Sequence, residues 1–232
     1  MTRVNVTILA AGMGTRLGRP WPKPMTPLAD GRSIMHQQMD NIATVFGDRA
    51  NVRVVVGFKH DLIMEHVPDA TFVYNEDYDQ TNTNRSLLKS LRSSPDGGML
   101  WMNGDVVFDP AILTRMLPYI DGDESVIAVN TAAVADEEVK YTVDDEGFVK
   151  GLSKTVAGGL GEAVGINYVS SADKPGLIAR LAECDDQDYF ERGIELAIEA
   201  DGVRFRPLDI SDLFAVEIDT GEDLDRANAP HD

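Results

Sequence analysis

The chain of 232 residues carries 21 Lys+Arg against 39 Asp+Glu, a net charge of −18, which argues against a general nucleic-acid binder or a protein of anionic membrane surfaces. Its one cysteine, Cys184, excludes an intramolecular disulfide and a cysteine-rich zinc site, and fits a reducing cytoplasm. At 43% hydrophobic and 26% charged the composition is that of a globular chain, and no apolar run approaches the roughly 20 residues of a membrane span.

Val4–Leu9 is an apolar run of strand length, read as a first strand rather than a signal peptide. The glycine-rich AAGMGTRLG follows at once. Ser33 precedes IMHQQMDNIATVF, whose apolar residues at 34, 35, 39, 42 and 46 predict a helix with Ser33 as its cap. Val52–Val56 predicts a second buried strand, His60–His66 a short helix and Thr71–Tyr74 a third strand. Asn84–Leu91 is helical, Met99–Met102 a fourth strand, and Pro110–Tyr119 a helix opened by proline. Strands alternating with helices imply right-handed βαβ units and a mostly parallel sheet. In such sheets ligands bind beyond the carboxyl ends of the strands, which singles out residues 10–17 and Asn103–Asp105.

The pattern changes after Tyr119. Val126–Thr131, Val139–Val143, Phe148–Leu152 and Ala163–Val169 read as strands, with a hairpin-type turn at DDEG 144–147. Helices at about 173–183 and 189–200 follow, then strands Val203–Pro207 and Phe214–Glu217 and a terminal helix Gly221–Ala227. Residues 1–120 carry 12 acidic and 12 basic side chains, whereas residues 121–232 carry 27 and 9. No Pro/Gly/Ser linker separates two units. The expectation is one domain over 1–232, a three-layer α/β/α Rossmann-like fold with a mainly parallel mixed sheet. Its nucleotide-binding half would be about 1–120 and its acceptor half about 121–232.

The strongest local signal is Leu9-Ala10-Ala11-Gly12-Met13-Gly14-Thr15-Arg16-Leu17, followed by Lys23 in Pro22-Lys23-Pro24-Met25. Glycines let backbone N–H groups approach an anion closely, and Arg16 and Lys23 supply positive charge. Leu17 stands where the dinucleotide fingerprint needs its third glycine, and no Gly-Lys completes a P-loop. The bland reading is a flexible glycine loop at a strand end.

Here the chain resembles the nucleotidyltransferases that make nucleoside-diphosphate sugars and alcohols. LAAGMGTRLG followed by PKPM looks like their signature, in which the loop wraps the NTP phosphates. The resemblance places residues 9–16 on the nucleotide, with Arg16 and Lys23 on the triphosphate. It also makes Gly104 and Asp105 of Trp101-Met102-Asn103-Gly104-Asp105, and Asp219 of Glu217-Ile218-Asp219, the later parts of the site. Mg²⁺ takes one or two protein carboxylates and completes its shell with phosphate oxygens and water. Asp105 and Asp219 are therefore the implied ligands, with Glu217 as a helper. Asp219 is also placed to cap the helix that begins near Thr220.

Further motifs resemble the bacterial cytidylyltransferases acting on phosphocholine, phosphonates and inositol phosphate. Asn82 and Ser86 fall one helical turn apart and are implied to face the nucleotide, although Asn82 is equally a helix cap. Lys140 and Lys154 end two strands around the DDEG turn, followed by Gly161-Glu162-Ala163-Val164-Gly165. The resemblance makes both lysines ligands of the acceptor phosphate or the α-phosphate, Lys154 with a catalytic role, and sets Glu162 beside the acceptor. Tyr189 and Glu191 of Asp188-Tyr189-Phe190-Glu191 suit a cationic amine through ring and carboxylate, while two core aromatics opening a helix explain the same string. Two departures stand out: Thr83 replaces a second asparagine, and both tryptophans, Trp21 and Trp101, lie in the first half.

The implied reaction is Mg²⁺-dependent transfer from CTP to a small phosphorylated alcohol or phosphonate, in the cytoplasm, without nucleic acid or membrane insertion, by a chain that forms a homodimer. The alternative is a sugar-1-phosphate uridylyl-, thymidylyl- or guanylyltransferase. A glycosyltransferase is disfavoured, because Asp105-Val106-Val107 is not the Asp-x-Asp such enzymes use. A nucleotide-sensing domain should have lost a carboxylate or the lysine, and this chain keeps them. The four histidines have no metal-ligand spacing, no G-x-S-x-G occurs, and Cys184 sits among acidic residues that raise its pKa.

Overall fold

A computed structural model of the chain describes residues 3–14, 18–132 and 138–229. The first half contains β1 (Val4–Ala10), α1 (Ile34–Phe46), β2 (Ala50–Val56), α2 (His60–His66), β3 (Thr71–Tyr74), α3 (Thr83–Ser93), β4 (Met99–Asn103), β5 (Val106–Phe108) and α4 (Ala111–Asp121). The second contains β6 (Val126–Asn130), β7 (Lys140–Val143), β8 (Val149–Ser153), β9 (Gly161–Val169), α5 (Lys174–Glu183), α6 (Phe190–Asp201), β10 (Arg206–Asp209), β11 (Ala215–Glu217) and α7 (Gly221–Asn228). The main sheet runs β10-β6-β9-β4-β1-β2-β3, and the β7–β8 hairpin extends it from β9. β4, β1, β2 and β3 are mutually parallel, β10 is parallel to β6, and β9 is antiparallel to both its neighbours.

Strand alternation explains the layers. All of β1 is buried, because helices cover both faces. Val4, Val6 and Ile8, with Leu100, Met102, Val126 and Ala128, face α1, α2 and α4 through Met35, Ile42, Ile63, Ile112 and Met116. Leu9, with Val55, Met99, Trp101 and Ile127, faces α3, α5 and α6 through Leu87, Leu91, Leu177, Leu181, Phe190 and Ile194. The fold is therefore the expected three-layer sandwich.

Most expected elements stand within a few residues of their predicted bounds. Ser33 caps α1, its side chain accepting from the His36 N–H. At the DDEG turn the Asp144 carboxylate accepts from the Glu146 and Phe148 N–H groups, and Gly147 takes a φ of +82° that favours glycine. Two differences have local causes. Val203 and Phe205 are core residues whose backbone bonds go to Ala197 of α6 and Val149 of β8 rather than to β6, so β10 starts only at Arg206. The short strand β5 was not anticipated. It leaves the main sheet and pairs antiparallel with β11. Among the described residues no helix is long and apolar enough to cross a membrane.

Candidate active site

A cleft of about 700 Å³ opens over the carboxyl ends of β1 and β4. The strand ends are locked together: Leu9 lies in register with Asn103, and the Gly104 N–H donates to the Leu9 carbonyl at 2.9 Å. Gly104 is required by this approach, since a Cβ there would lie 2.7 Å from the Leu9 carbonyl oxygen. Leu9, Ala10, Gly12, Gly14 and Gly104 line the cleft. Ala11 is buried behind it, its carbonyl accepting from the Phe58 N–H, and Met13 is exposed. Thr15 and Arg16 lie outside the described residues.

The β5–β11 ribbon assembles the carboxylates. Val106 pairs with Glu217, and the Ile218 N–H donates to the Asp105 carbonyl at 3.0 Å. Asp105 is thereby brought beside Glu217 and Asp219, which share a face by strand alternation. One oxygen from each of the three carboxyl groups lies within 4.8 Å of the others. Lys23, held on a single 3₁₀ turn between Pro22 and Pro24, puts its Nζ 2.6 Å from Asp105 Oδ2 and 2.5 Å from Asp219 Oδ1.

The charges are mutually dependent. Burial works against the Lys23 ammonium, but the Asp105 and Asp219 carboxylates outweigh it and hold Lys23 above its usual pKa. Glu217 is pushed well above the carboxylate range by the charge of Asp105 first and by burial second, with Lys23 opposing. Glu138, also lining the cleft, is raised by burial and by Asp219 and Asp223, against Lys154.

Asp219 does not cap α7. Thr220 does, in a capping box: its hydroxyl accepts from the Asp223 N–H, and the Asp223 carboxylate accepts from the Thr220 and Asp219 N–H groups. This leaves the Asp219 side chain for Lys23. On the other side, the buried Gln38 amide of α1 donates to the Asn103 and Val106 carbonyls at 2.9 and 2.8 Å, bracketing the turn that carries Asp105.

Asn82, Thr83, Lys154, Tyr189 and Glu191 also line the cleft. Asn82 caps α3, its Oδ1 accepting from the Thr83 N–H, and it also lines the cleft. The Thr83 hydroxyl accepts from the Phe190 N–H and ties the start of α3 to the start of α6. The aromatic pair divides its work: Phe190 is buried edge-on against Trp101, whereas Tyr189 is exposed, with Lys154 Nζ 5.5 Å from its ring centroid. Glu191 is 8% exposed, its Oε2 has no hydrogen-bond partner, and burial pushes its carboxyl up to about 7.

Three expected residues lie elsewhere. Ser86 is on the buried face of α3, where its hydroxyl accepts from the Asn75 side chain at 3.1 Å. Lys140 packs its stem against Gly159, and it pairs in register with Glu162. On β9 it is Ala163 and Gly165 that line the cleft, so Glu162 points to the other face. Sequence reasoning missed Glu138, Gln38, Asp223 and Arg226. The one available signal was the Thr220-x-x-Asp223 spacing of a capping box.

A glycine turn, a lysine and a carboxylate cluster thus meet at the carboxyl ends of the strands of a mostly parallel sheet. Residues 6–138 match the MobA-like NTP transferase domain, and the chain belongs to that family. The CMP-5'-(3-aminopropyl)phosphonate synthase of Streptomyces rubellomurinus is 28% identical over 262 aligned positions, which take in 97% of this chain and 38% of that protein. The chain thus spans well under half the length of this relative. The fold is shared with the inositol-1-phosphate CTP transferase from T. maritima, at a TM-score of 0.78 and 16% identity over 96% of this chain and 92% of that one. It is shared also with the CTP:phosphocholine cytidylyltransferase from Streptococcus pneumoniae, at a TM-score of 0.72 and 16% identity over 97% and 98% of the two chains.

Proposed function

We propose that the chain is a Mg²⁺-dependent cytidylyltransferase that joins CMP to a small phosphonate or phosphate bearing a cationic amine. The observation that carries this is a single cleft lined by Lys23, Asp105, Glu217 and Asp219 and also by Lys154, Tyr189 and Glu191. The first group suits a triphosphate and its cation. The second suits an acceptor with an anionic head and a cationic tail. The names of the similar proteins, with CMP or CTP and an aminopropylphosphonate, phosphocholine or inositol phosphate, support the same reading.

The donor set fits Mg²⁺, being all oxygen and already holding one cation, the Lys23 ammonium. Asp105 and Asp219 would hold the ion, with Glu217 beside them, and when bound it supplies neutralisation of phosphate charge. The backbone of the Gly12–Gly14 turn receives the triphosphate, and Lys23 balances the leaving pyrophosphate. An acceptor oxygen attacks the α-phosphorus, the bond from that phosphorus to the bridging oxygen breaks, and pyrophosphate leaves with the electron pair. The attacking group is largely ionised near neutral pH, so no general base is required. Lys154 orients it, and the Glu191 carboxylate meets the ammonium at its other end. Catalysis is then positioning and charge stabilisation.

The test is pyrophosphate release with Mg²⁺, crossing CTP, UTP, dTTP, GTP and ATP with 2-aminoethylphosphonate, phosphocholine, inositol-1-phosphate and glucose-1-phosphate. Turnover confined to CTP and an amine-bearing acceptor is expected. Turnover with a sugar phosphate and UTP, dTTP or GTP instead would move the chain to the sugar-nucleotide branch. Asp105→Asn should lower kcat by about 100-fold or more while the melting curve is kept. A folded, fully active variant would remove the metal assignment. A cytoplasmic location and a homodimer complete the proposal, and size-exclusion chromatography with light scattering checks the latter.

A further inference from the structure

In the free protein the position that suits a divalent cation is filled. Lys23 Nζ sits between Asp105 Oδ2 and Asp219 Oδ1 at 2.6 and 2.5 Å, so an ammonium already lies where a cation bridging those two oxygens would sit. The lysine side chain is 10% exposed and the two carboxylates 21% and 31%, so the pair is partly withdrawn from water, where charges act more strongly on one another. The β5–β11 ribbon and the α7 capping box hold both carboxylates in place. Lys23 alone belongs to a short single turn, and its long side chain is the flexible partner.

We propose that Lys23 is an exchangeable internal counter-ion, whose ammonium holds the cation position between Asp105 and Asp219 until a divalent ion displaces it. This deepens, and rests on, the nucleotidyltransferase reading. The displaced ammonium has a destination close by. The tip of the glycine loop lies against Lys23: a Cβ built on Gly14 would fall 3.0 Å from the Lys23 Cβ. A triphosphate on that loop would stabilise the ammonium away from the carboxylates. Cation and nucleotide then bind together, each removing the obstacle to the other, and the free protein is protected from binding metal idly. The coupling is reciprocal by linkage.

The test is Mn²⁺ titration of the nucleotide-free protein, followed by electron paramagnetic resonance of the unbound ion. Wild type should bind weakly. Lys23→Met should bind about tenfold tighter, a size usual for linked sites. Lys23→Arg, which keeps the charge, should stay weak, and Asp105→Asn placed in the Lys23→Met background should abolish the gain. Thermal melts establish that each variant is folded. Equal Mn²⁺ affinity in wild type and Lys23→Met overturns the inference, as does a gain that Lys23→Arg shares. The pyrophosphate assay separates the two layers. Turnover without the Mn²⁺ gain rejects the counter-ion and keeps the enzyme. The gain without turnover keeps the counter-ion and rejects the enzyme.

Discussion

Glu191 is a carboxyl group in the cleft that is almost wholly withdrawn from water. A carboxyl group that is 8% exposed, with one oxygen unpaired, is neutral over part of the physiological pH range. Burial raises its pKa from 4.5 to about 7. The sign of the consequence is fixed. Well below pH 4.5 the group is protonated whether the chain is folded or not, and it costs nothing. Between 4.5 and about 7 the unfolded chain ionises first, so stability falls as pH rises. Glu191→Gln should therefore gain on wild type by about 3 kcal/mol between pH 4 and pH 8, as read by urea denaturation. A difference that does not move with pH would show that the carboxyl ionises freely in the fold. The same variant should raise KM for an amine-bearing acceptor and leave KM for CTP unchanged. Gly104 makes a second prediction at this scale. Gly104→Ala must move the Leu9 carbonyl away from a Cβ 2.7 Å off, and a loss of about 1–3 kcal/mol is expected in the same measurement.

At the scale of elements, the site is built by a two-stranded ribbon and one helix. Gln38 of α1 holds the Asn103 and Val106 carbonyls from beneath. Gln38→Ala leaves both without their donor in a buried place, which should cost about 2 kcal/mol and weaken Mn²⁺ binding in a Lys23→Met background. Unchanged Mn²⁺ affinity would mean that β5 alone positions Asp105. Gly12, Gly14 and Asp105 were legible in the sequence because they follow apolar runs of strand length, and Lys23 because Pro-Lys-Pro comes shortly after the glycines. What was not legible depended on register. Whether Glu162 or Ala163 faces the cleft turns on one-residue alternation in a strand whose pairing no single sequence reveals, and Glu138 lies before the first residue of β7, where no strand period applies. β5 has three residues, too few for a period to show, yet it brings Asp105 to Glu217. Gln38 stood among the apolar positions of α1 as an ordinary polar residue, and its role depends on the carbonyls above it.

At the scale of the whole molecule, charge and topology pull in opposite directions. All the excess negative charge lies in residues 121–232, which carry 27 acidic and 9 basic side chains. That half is not a separate layer. β9 is inserted between β4 and β6, so the strongly acidic segment supplies the middle of the sheet and cannot peel away without breaking the pairing of β4. The repulsion must then be borne by the entire fold, as a cost of compactness that salt relieves. Raising KCl from about 0.01 M to about 1 M shortens the Debye length from about 30 Å to about 3 Å. The melting temperature should rise across this series, and unfolding should remain one transition by circular dichroism and by tryptophan fluorescence alike. The fluorescence probe is decisive here, because both tryptophans, Trp21 and Trp101, belong to the first half, and Trp101 packs on Phe190 of the second. If the acidic half melted first at low salt, circular dichroism and the Trp101 signal, which depends on Phe190, would change in a first step and the remainder in a second, and the interleaved sheet would have failed to make the two halves one unit. Coincident curves at every salt concentration are the outcome that the order β10-β6-β9-β4-β1-β2-β3 requires.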